Sequence, residues 1–170
     1  MTATNHQRGF SLIETVFYVA IIGVVIVAAV AMAFGAIQSF NRLKATANLA
    51  RAGEAALARL EYEIRRAESI NLGASVLNNH PGVLALNTQL TDGTPATVNF
   101  FIQNDTLMIT DTAGIAYPLL PLYASTTEFI ARQITASSSS GVAVTLKLYD
   151  LRQPESLASF MTSAVMRGSY

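Results

Sequence analysis

Arg8-Gly9-Phe10-Ser11-Leu12-Ile13-Glu14 stands at the head of a long apolar run. Glu14 is the single charged residue between Arg8 and Arg42, and Val16 to Ile37 form an uncharged block of 22 residues. At a rise of about 1.5 Å per residue such a block makes a helix of about 33 Å, against roughly 30 Å for a hydrocarbon core. The length predicts a membrane-spanning helix. A cleavable secretory signal also sets positive charge ahead of apolar residues, but its apolar core is about 7–15 residues long and ends at a small-x-small site. Here the run is longer and passes into a second helical pattern without a Pro or a polar break. The junction that stands out lies ahead of the run, at Gly9-Phe10, where a short polar leader carrying His6 and Arg8 ends.

The string Arg8-Gly9-Phe10-Ser11-Leu12-Ile13-Glu14-Thr15 resembles the prepilin leader junction of type IV pilins and type II secretion pseudopilins. The resemblance spans about the first thirty residues, with Gly, Phe and Glu at the required spacing before a helix of membrane length. It implies cleavage after Gly9 by a prepilin peptidase, N-methylation of the new terminus at Phe10, and an assembly role for Glu14, the fifth residue of the mature chain. It also implies a leader in the cytoplasm and a head outside the inner membrane, followed by entry into a pilus or pseudopilus fibre. The partners implied are prepilin peptidase, other pilin or pseudopilin subunits and an inner-membrane assembly platform. Charge alone does not orient the chain, since His6 and Arg8 precede the span while Arg42, Lys44 and Arg51 follow it.

Glu14 has a physical problem of its own. A carboxylate in a spanning helix costs about 2.5–3.5 kcal/mol at the bilayer centre and less near its edge. One compensation is local: Ser11 and Glu14 have capping-box spacing, and the helix dipole favours an acid in the first turn by about 0.3–1 kcal/mol. The other follows from the resemblance, in which the α-amino group freed at Phe10 of a neighbouring subunit pairs with Glu14. The two are compatible. Gly23 and Gly35 interrupt the run and read as the ordinary tolerance of membrane helices for Gly. Where many pilins carry a Pro linked to local unwinding, this chain has Ala29, Val30, Ala31 and Met32.

Composition bounds the remainder. With 170 residues, 51% of them hydrophobic, there is room for one spanning helix and one modest folded head. Net charge is zero; residues 1–70 hold seven basic and five acidic side chains, and residues 71–170 hold four and six. No electrostatic case for nucleic acid follows, because Arg132, Lys147, Arg152 and Arg167 are scattered among the acids of the head. The chain has no Cys, which excludes disulfides, thiolate metal sites and Cys nucleophiles.

After the apolar run the helical signal continues. Leu43, Ala50, Leu57 and Ile64 recur every seven residues, with Ala47, Gly53, Leu60 and Ala67 as an adjoining stripe, opposite a face bearing Arg51, Glu54, Arg59, Glu61, Glu63, Arg65, Arg66 and Glu68. Arg59 with Glu63 and Glu61 with Arg65 have i,i+4 spacing. A stop is expected between Ser69 and Gly73, which makes a helix of about 90 Å from Phe10. A seam this rich in Ala and Gly buries little in a coiled coil and suits packing beneath a sheet.

From residue 74 the pattern changes to short β runs. Expected strands are Val83–Asn87, a hairpin of Ala96–Gln103 and Thr106–Asp111 turning at Asn104-Asp105, an edge segment Ile115–Leu122 broken by Pro118 and Pro121, a second hairpin of Glu128–Thr135 and Val142–Leu151 around the serine-rich loop 137–141, and a closing strand Ala158–Arg167. Turns are expected at His80-Pro81-Gly82 and Asp92-Gly93. The fold class is therefore α+β and pilin-like: leader 1–9, spanning and assembly helix 10–37, amphipathic helix 38–72, and a β-rich head 73–170 with an antiparallel sheet covered by the helix.

The order Leu57-x-x-Leu60-x-x-x-Ile64-Arg-Arg66, a hairpin, and a closing strand ending Val165-Met-Arg167 is similar to the J-type minor pseudopilins and W-type minor pilins. It implies a minor subunit near a fibre tip; a major pilin and a competence-type (DNA-uptake) pseudopilin are the other readings within the family. No catalytic machinery is found: there is no zinc spacing, phosphate loop or nucleophile elbow, and His80 reads as a turn residue. Asp105 and Asp111 flank one strand without the Gly-punctuated loop of a calcium site. The expectation is a non-enzymatic structural subunit with no cofactor and no metal. Its alternative from another class is a membrane-anchored binding protein or enzyme that carries a leader-like motif incidentally.

Overall fold

The computed structural model describes residues 11–90, 92–135 and 139–167. Gly9, Phe10 and the rest of the leader lie outside the described residues, as do Ser137 and Ser138 of the serine-rich loop. The chain divides into two compact units, residues 1–41 and 42–170. The helix α1 (Leu12–Arg66, 55 residues) supplies both with backbone. In the first unit every described side chain is exposed, and each Gly there has open space where a Cβ would stand. Gly23 and Gly35 thus serve no packing need within the chain.

In the second unit α1 becomes one-faced. Its buried residues are Ala45, Leu49, Ala52, Gly53, Ala56, Leu60, Glu63 and Ile64, spaced by threes and fours along one stripe. This corrects the seven-residue series: Leu43 is 71% exposed, Ala47 is exposed, and Ala50 and Leu57 are half-buried. A straight helix drifts by about 20° per heptad against a strict seven-residue repeat, so a series aligned at Ile64 has left the buried face by Leu43. Glu63 is a second correction, since it is 4% exposed within the stripe rather than on the charged face. Arg59 reaches it at 2.5 Å and also lies 5.5 Å above the Tyr62 ring. The other expected pair, Arg65 with Glu61, is present at 3.6 Å.

The helix stops at Arg66, earlier than the expected Ser69–Gly73, because the backbone is taken over by a sheet. Glu68 N donates to Asn87 O and Asn71 N to Ala85 O, which makes Ser69–Ile70 a short strand, β1. It leads a five-stranded antiparallel meander with β2 (Leu84–Gln89), β3 (Pro95–Gln103), β4 (Thr106–Thr110) and β5 (Ala116–Pro118), in that spatial order. The β3–β4 turn falls at Asn104 and Asp105, both at positive φ (50° and 56°), as a two-residue hairpin requires. At the expected edge, β5 is three exposed residues ending in Pro118.

A single sheet was expected, and there are two. The second holds β6 (Ala124–Thr135), β7 (Ser140–Asp150) and β8 (Gln153–Val165) in that order, all antiparallel. β6 starts at Ala124, ahead of the expected Glu128, and carries a register shift between Thr126 and Glu128. The core is common to the helix and both sheets: Leu49, Leu60 and Ile64 meet Leu84, Leu86 and Phe100 from the first sheet and Phe129, Leu146 and Leu148 from the second.

The last strand follows the helix. Arg42 pairs with Glu155 at 3.2 Å, Gly53 lies against the Phe160 ring, the Thr162 hydroxyl donates to the Glu61 carboxylate, and Arg167 N donates to Ala67 O. Residue numbers rise together on both elements, so β8 runs in the helix direction. The Gly53 contact is the tightest of these, since an added Cβ falls 2.3 Å from ring carbons of Phe160. Gly to Ala in an open helix gains about 1 kcal/mol, whereas overpacking costs about 1–3. Gly53→Ala should therefore destabilise the chain on its own and become neutral or stabilising in a Phe160→Ala background. Denaturant unfolding of the four chains in detergent measures this; equal effects of Gly53→Ala in both backgrounds would refute the contact.

Candidate assembly segment

The functional region is built on the first turns of α1. Ser11 precedes the helix, and its carbonyl accepts both the Thr15 amide at 3.2 Å and the Thr15 hydroxyl at 3.3 Å. The expected capping pair is not formed: no hydrogen bond among the described residues joins the Ser11 hydroxyl to Glu14. Glu14 sits in the first turn, exposed, where the dipole favours it by about 0.3–1 kcal/mol. It has no ion pair among the described residues.

Beyond Glu14 the side chains that emerge on all sides are Val, Ile, Phe, Ala and Met. Val16, Phe17, Val19, Ile21, Ile22 and Val24 are each more than half exposed within the chain. α1 contains a window of mean hydropathy 2.8, none of it buried. Each such Val, Ile or Phe gains about 1.5–3 kcal/mol on leaving water. Summed along the segment this is tens of kcal/mol, so it is not a surface for water. A helix apolar on all sides is covered by lipid or by other helices.

The polar residues singled out in the head hold its backbone together. His80 Nδ1 accepts the Phe129 amide at 3.1 Å, while Gly82 N donates to Phe129 O and Asn78 N to Ala131 O. The turn at residues 78–82 thereby covers the outer edge of β6. Asp105 contributes its main-chain carbonyl, which accepts from Thr126 N at 2.7 Å and from the Ser125 hydroxyl at 2.9 Å. Asp111 Oδ1 accepts the Ala113 and Ile115 amides, both at 2.9 Å. Partial burial, then the Asp111 charge, raises the Tyr117 hydroxyl above its ordinary value. Asp105 and Asp111 are thus engaged in turns, and among the described residues no group of three or more His, Asp or Glu comes together. Sequence spacing gave no sign of the His80 contact, because its partner is 49 residues away.

Residues 4–30 match the family model described as the prokaryotic N-terminal methylation motif. The matched segment takes in Gly9, Phe10 and Glu14 and the first half of the apolar run. Neither the curated proteins nor the solved structures contain a match to the chain. The motif thus stands on an apolar N-terminal helix that packs further along against antiparallel sheets, an arrangement consistent with a pilin-like α+β fold. Such a motif implies processing by prepilin peptidase and assembly with other pilin-type subunits, and the apolar helix accords with membrane anchoring.

The Asp92-Gly93 turn gives the head a titratable marker. Asp92 Oδ1 accepts the Thr94 amide at 2.9 Å, and this bond holds the carboxyl below its ordinary 3.8. A lowered folded pKa means that the bond contributes in full above 3.8 and is lost as pH falls through the folded value. The Thr94 amide resonance should titrate with a midpoint below 3.8 and lose that transition in Asp92→Asn; a midpoint at or above 3.8 would contradict the bond.

Proposed function

We propose that this protein is a structural, non-enzymatic minor subunit of a type IV pilus or type II secretion pseudopilus. In this reading prepilin peptidase cuts between Gly9 and Phe10, Phe10 is N-methylated, and residues 10–37 anchor the subunit in the inner membrane with its head outside before they pack into the fibre. The observation that carries the proposal is the methylation motif at residues 4–30 on a helix whose first apolar stretch has no cover within the chain. What supports the minor role is the similarity of the sequence order, Leu57-x-x-Leu60-x-x-x-Ile64-Arg-Arg66, a hairpin and Val165-Met-Arg167, to J-type minor pseudopilins and W-type minor pilins.

Glu14 follows from the same geometry. The dipole term of about 0.3–1 kcal/mol is smaller than the cost of about 2.5–3.5 kcal/mol for a carboxylate held at the bilayer centre, and nearer the edge the two approach each other. The carboxylate is therefore tolerable near one face of the membrane. It becomes costly when the helix is drawn among other apolar helices without a cation. The α-amino group of a processed neighbour is such a cation, retained after methylation, and it exists only once the leader has gone. Processing and assembly are thereby coupled through one charge.

Intact-mass analysis of the purified chain should find a mature protein beginning at N-methylated Phe10. A retained Met1, or cleavage beyond the apolar run, would favour an anchored binding protein or enzyme instead. Glu14→Ala should reach the membrane at normal level and enter sheared fibres at least about tenfold less, the equivalent of about 1.4 kcal/mol of lost pairing. Normal incorporation would leave Glu14 with the dipole role alone.

A further inference from the structure

The sheet edges of the head are treated differently, β1 being only two residues long. β6 has its outer edge bonded by the 78–82 turn and by the Asp105 carbonyl. β5 is short and ends in Pro118, which offers no N–H. β8 is 13 residues long, and among the described residues it pairs only with β7 and carries no strand on its other side. The usual protection against unwanted pairing, charge and Pro, is confined to its start at Pro154 and Glu155. From Ser156 to Val165 there is no charge and no Pro. Leu157, Met161 and Val165 project outward at 66%, 79% and 45% exposure.

Two hollows meet at the end of this edge. One, of about 100 Å³, lies beside Ile134, Gly141 and Val165; Gly141 pairs with both Ile134 and Val165 across the strands. The other, of about 470 Å³, is lined by Ser163, Ala164, Val165 and two cations, Arg65 and Arg167. Arg65 shares Glu61 at 3.6 Å, and Arg167 has no ion pair among the described residues.

We infer that the edge of β8 from Ser156 to Val165 is a docking site for an extended, acid-bearing segment of a different protein, which adds as a strand and sets a carboxylate between Arg65 and Arg167. Main-chain hydrogen bonds supply the affinity of such strand addition, and side-chain hollows its selectivity. A carboxylate suits the cleft because a guanidinium takes it in paired, charge-assisted bonds. A second copy of this chain fits poorly. Its open edges, β1, β5 and β8 from Ser156 onward, contain no acid, and Glu155 is already bonded to Arg42. This inference concerns the head alone and does not depend on N-terminal processing.

The test uses the full chain in detergent micelles with two labelled seven-residue probes, each alternating Thr and Val, one with Asp at its first position and one with Asp at its last. Each has an Asn counterpart and a counterpart N-methylated at alternate amides, which cannot pair as a strand. Fluorescence anisotropy should show at least one Asp probe binding. It should weaken about tenfold on Asp-to-Asn exchange, about as much in Arg167→Gln, and far less in Arg167→Lys. N-methylation should abolish binding to the unaltered protein, so this arm does not rely on any variant folding. Equal binding of Asp and Asn probes, equal binding of methylated and unmethylated probes, or no binding at millimolar concentration would overturn the proposal. So would efficient disulfide dimers of Ser159→Cys, an unambiguous reporter in a chain with no Cys, because they would give the edge to a second copy.

Discussion

The head depends on how closely a helix can approach two sheets. Along the buried stripe of α1, Ala45, Ala52, Gly53 and Ala56 alternate with Leu49, Leu60 and Ile64. Small residues let the helix backbone sink toward β8, and the larger ones then reach the inner faces of both sheets, where Phe100 and Phe129 are fully buried. At Gly53 the tolerance is nil, because a ring occupies the place of a side chain. A Leu-rich stripe would hold the sheets further off and open voids about Phe160, each costing on the order of 1 kcal/mol. The poverty of the stripe is thus a packing specification, and it is also why the same face would make a weak coiled coil.

One helix has two kinds of surface, and its sequence changes where one gives way to the other. Up to Asn41 the only charge in α1 is Glu14, and the residues are apolar on every side. From Arg42 onward charged residues occupy the exposed positions and the apolar ones contract to a stripe. Backbone hydrogen bonding is the same along both parts, so one continuous helix can carry either kind of surface. The charged face is also used for tertiary contact: Arg42, Glu61 and Arg59 each hold something across or along the helix.

How much of this was legible follows from the range of each interaction. The long helix, the Asn104-Asp105 turn and the proline-bearing edge were readable because each is fixed by neighbours in sequence: apolar run length, tolerance of positive φ, and a missing N–H. Glu63 was misplaced because charge is a local property and burial is not; only the folded sheets show that Arg59 covers it. β1 was missed because two residues, Ser69 and Ile70, carry no period, and their strand exists only by pairing with Leu86 and Asn87. The second sheet was merged with the first because pattern identifies strands and not the sheet to which they belong. At the N-terminus the case is reversed. The methylation motif at residues 4–30 was legible because it is a run of neighbours in sequence, whereas a cation for Glu14 on another subunit lies beyond the reach of sequence spacing.

The chain satisfies its own chemistry almost everywhere in the head. Its turns use their acids, β6 is covered, the core spans three layers, and the helix C-terminus is met by Arg65 and Arg66 and by a strand. Two needs at the surface remain open, beside the buried Thr88, Asn99 and Thr126 side-chain oxygens that lack a partner among the described residues, and they are of different kinds. One is an acid in an apolar helix, which calls for a cation; the other is an unpaired strand edge with two cations at its end, which calls for backbone and an acid. Their demands differ in sign and in geometry, so one partner surface cannot meet both in the same way. A subunit whose ends need unlike partners fits a particular place in an assembly better than a uniform repeat, where each copy must both offer and receive the same contact. The absence of an acid on this chain's own open edges points the same way, since a copy stacked on a copy would leave Arg167 unmet.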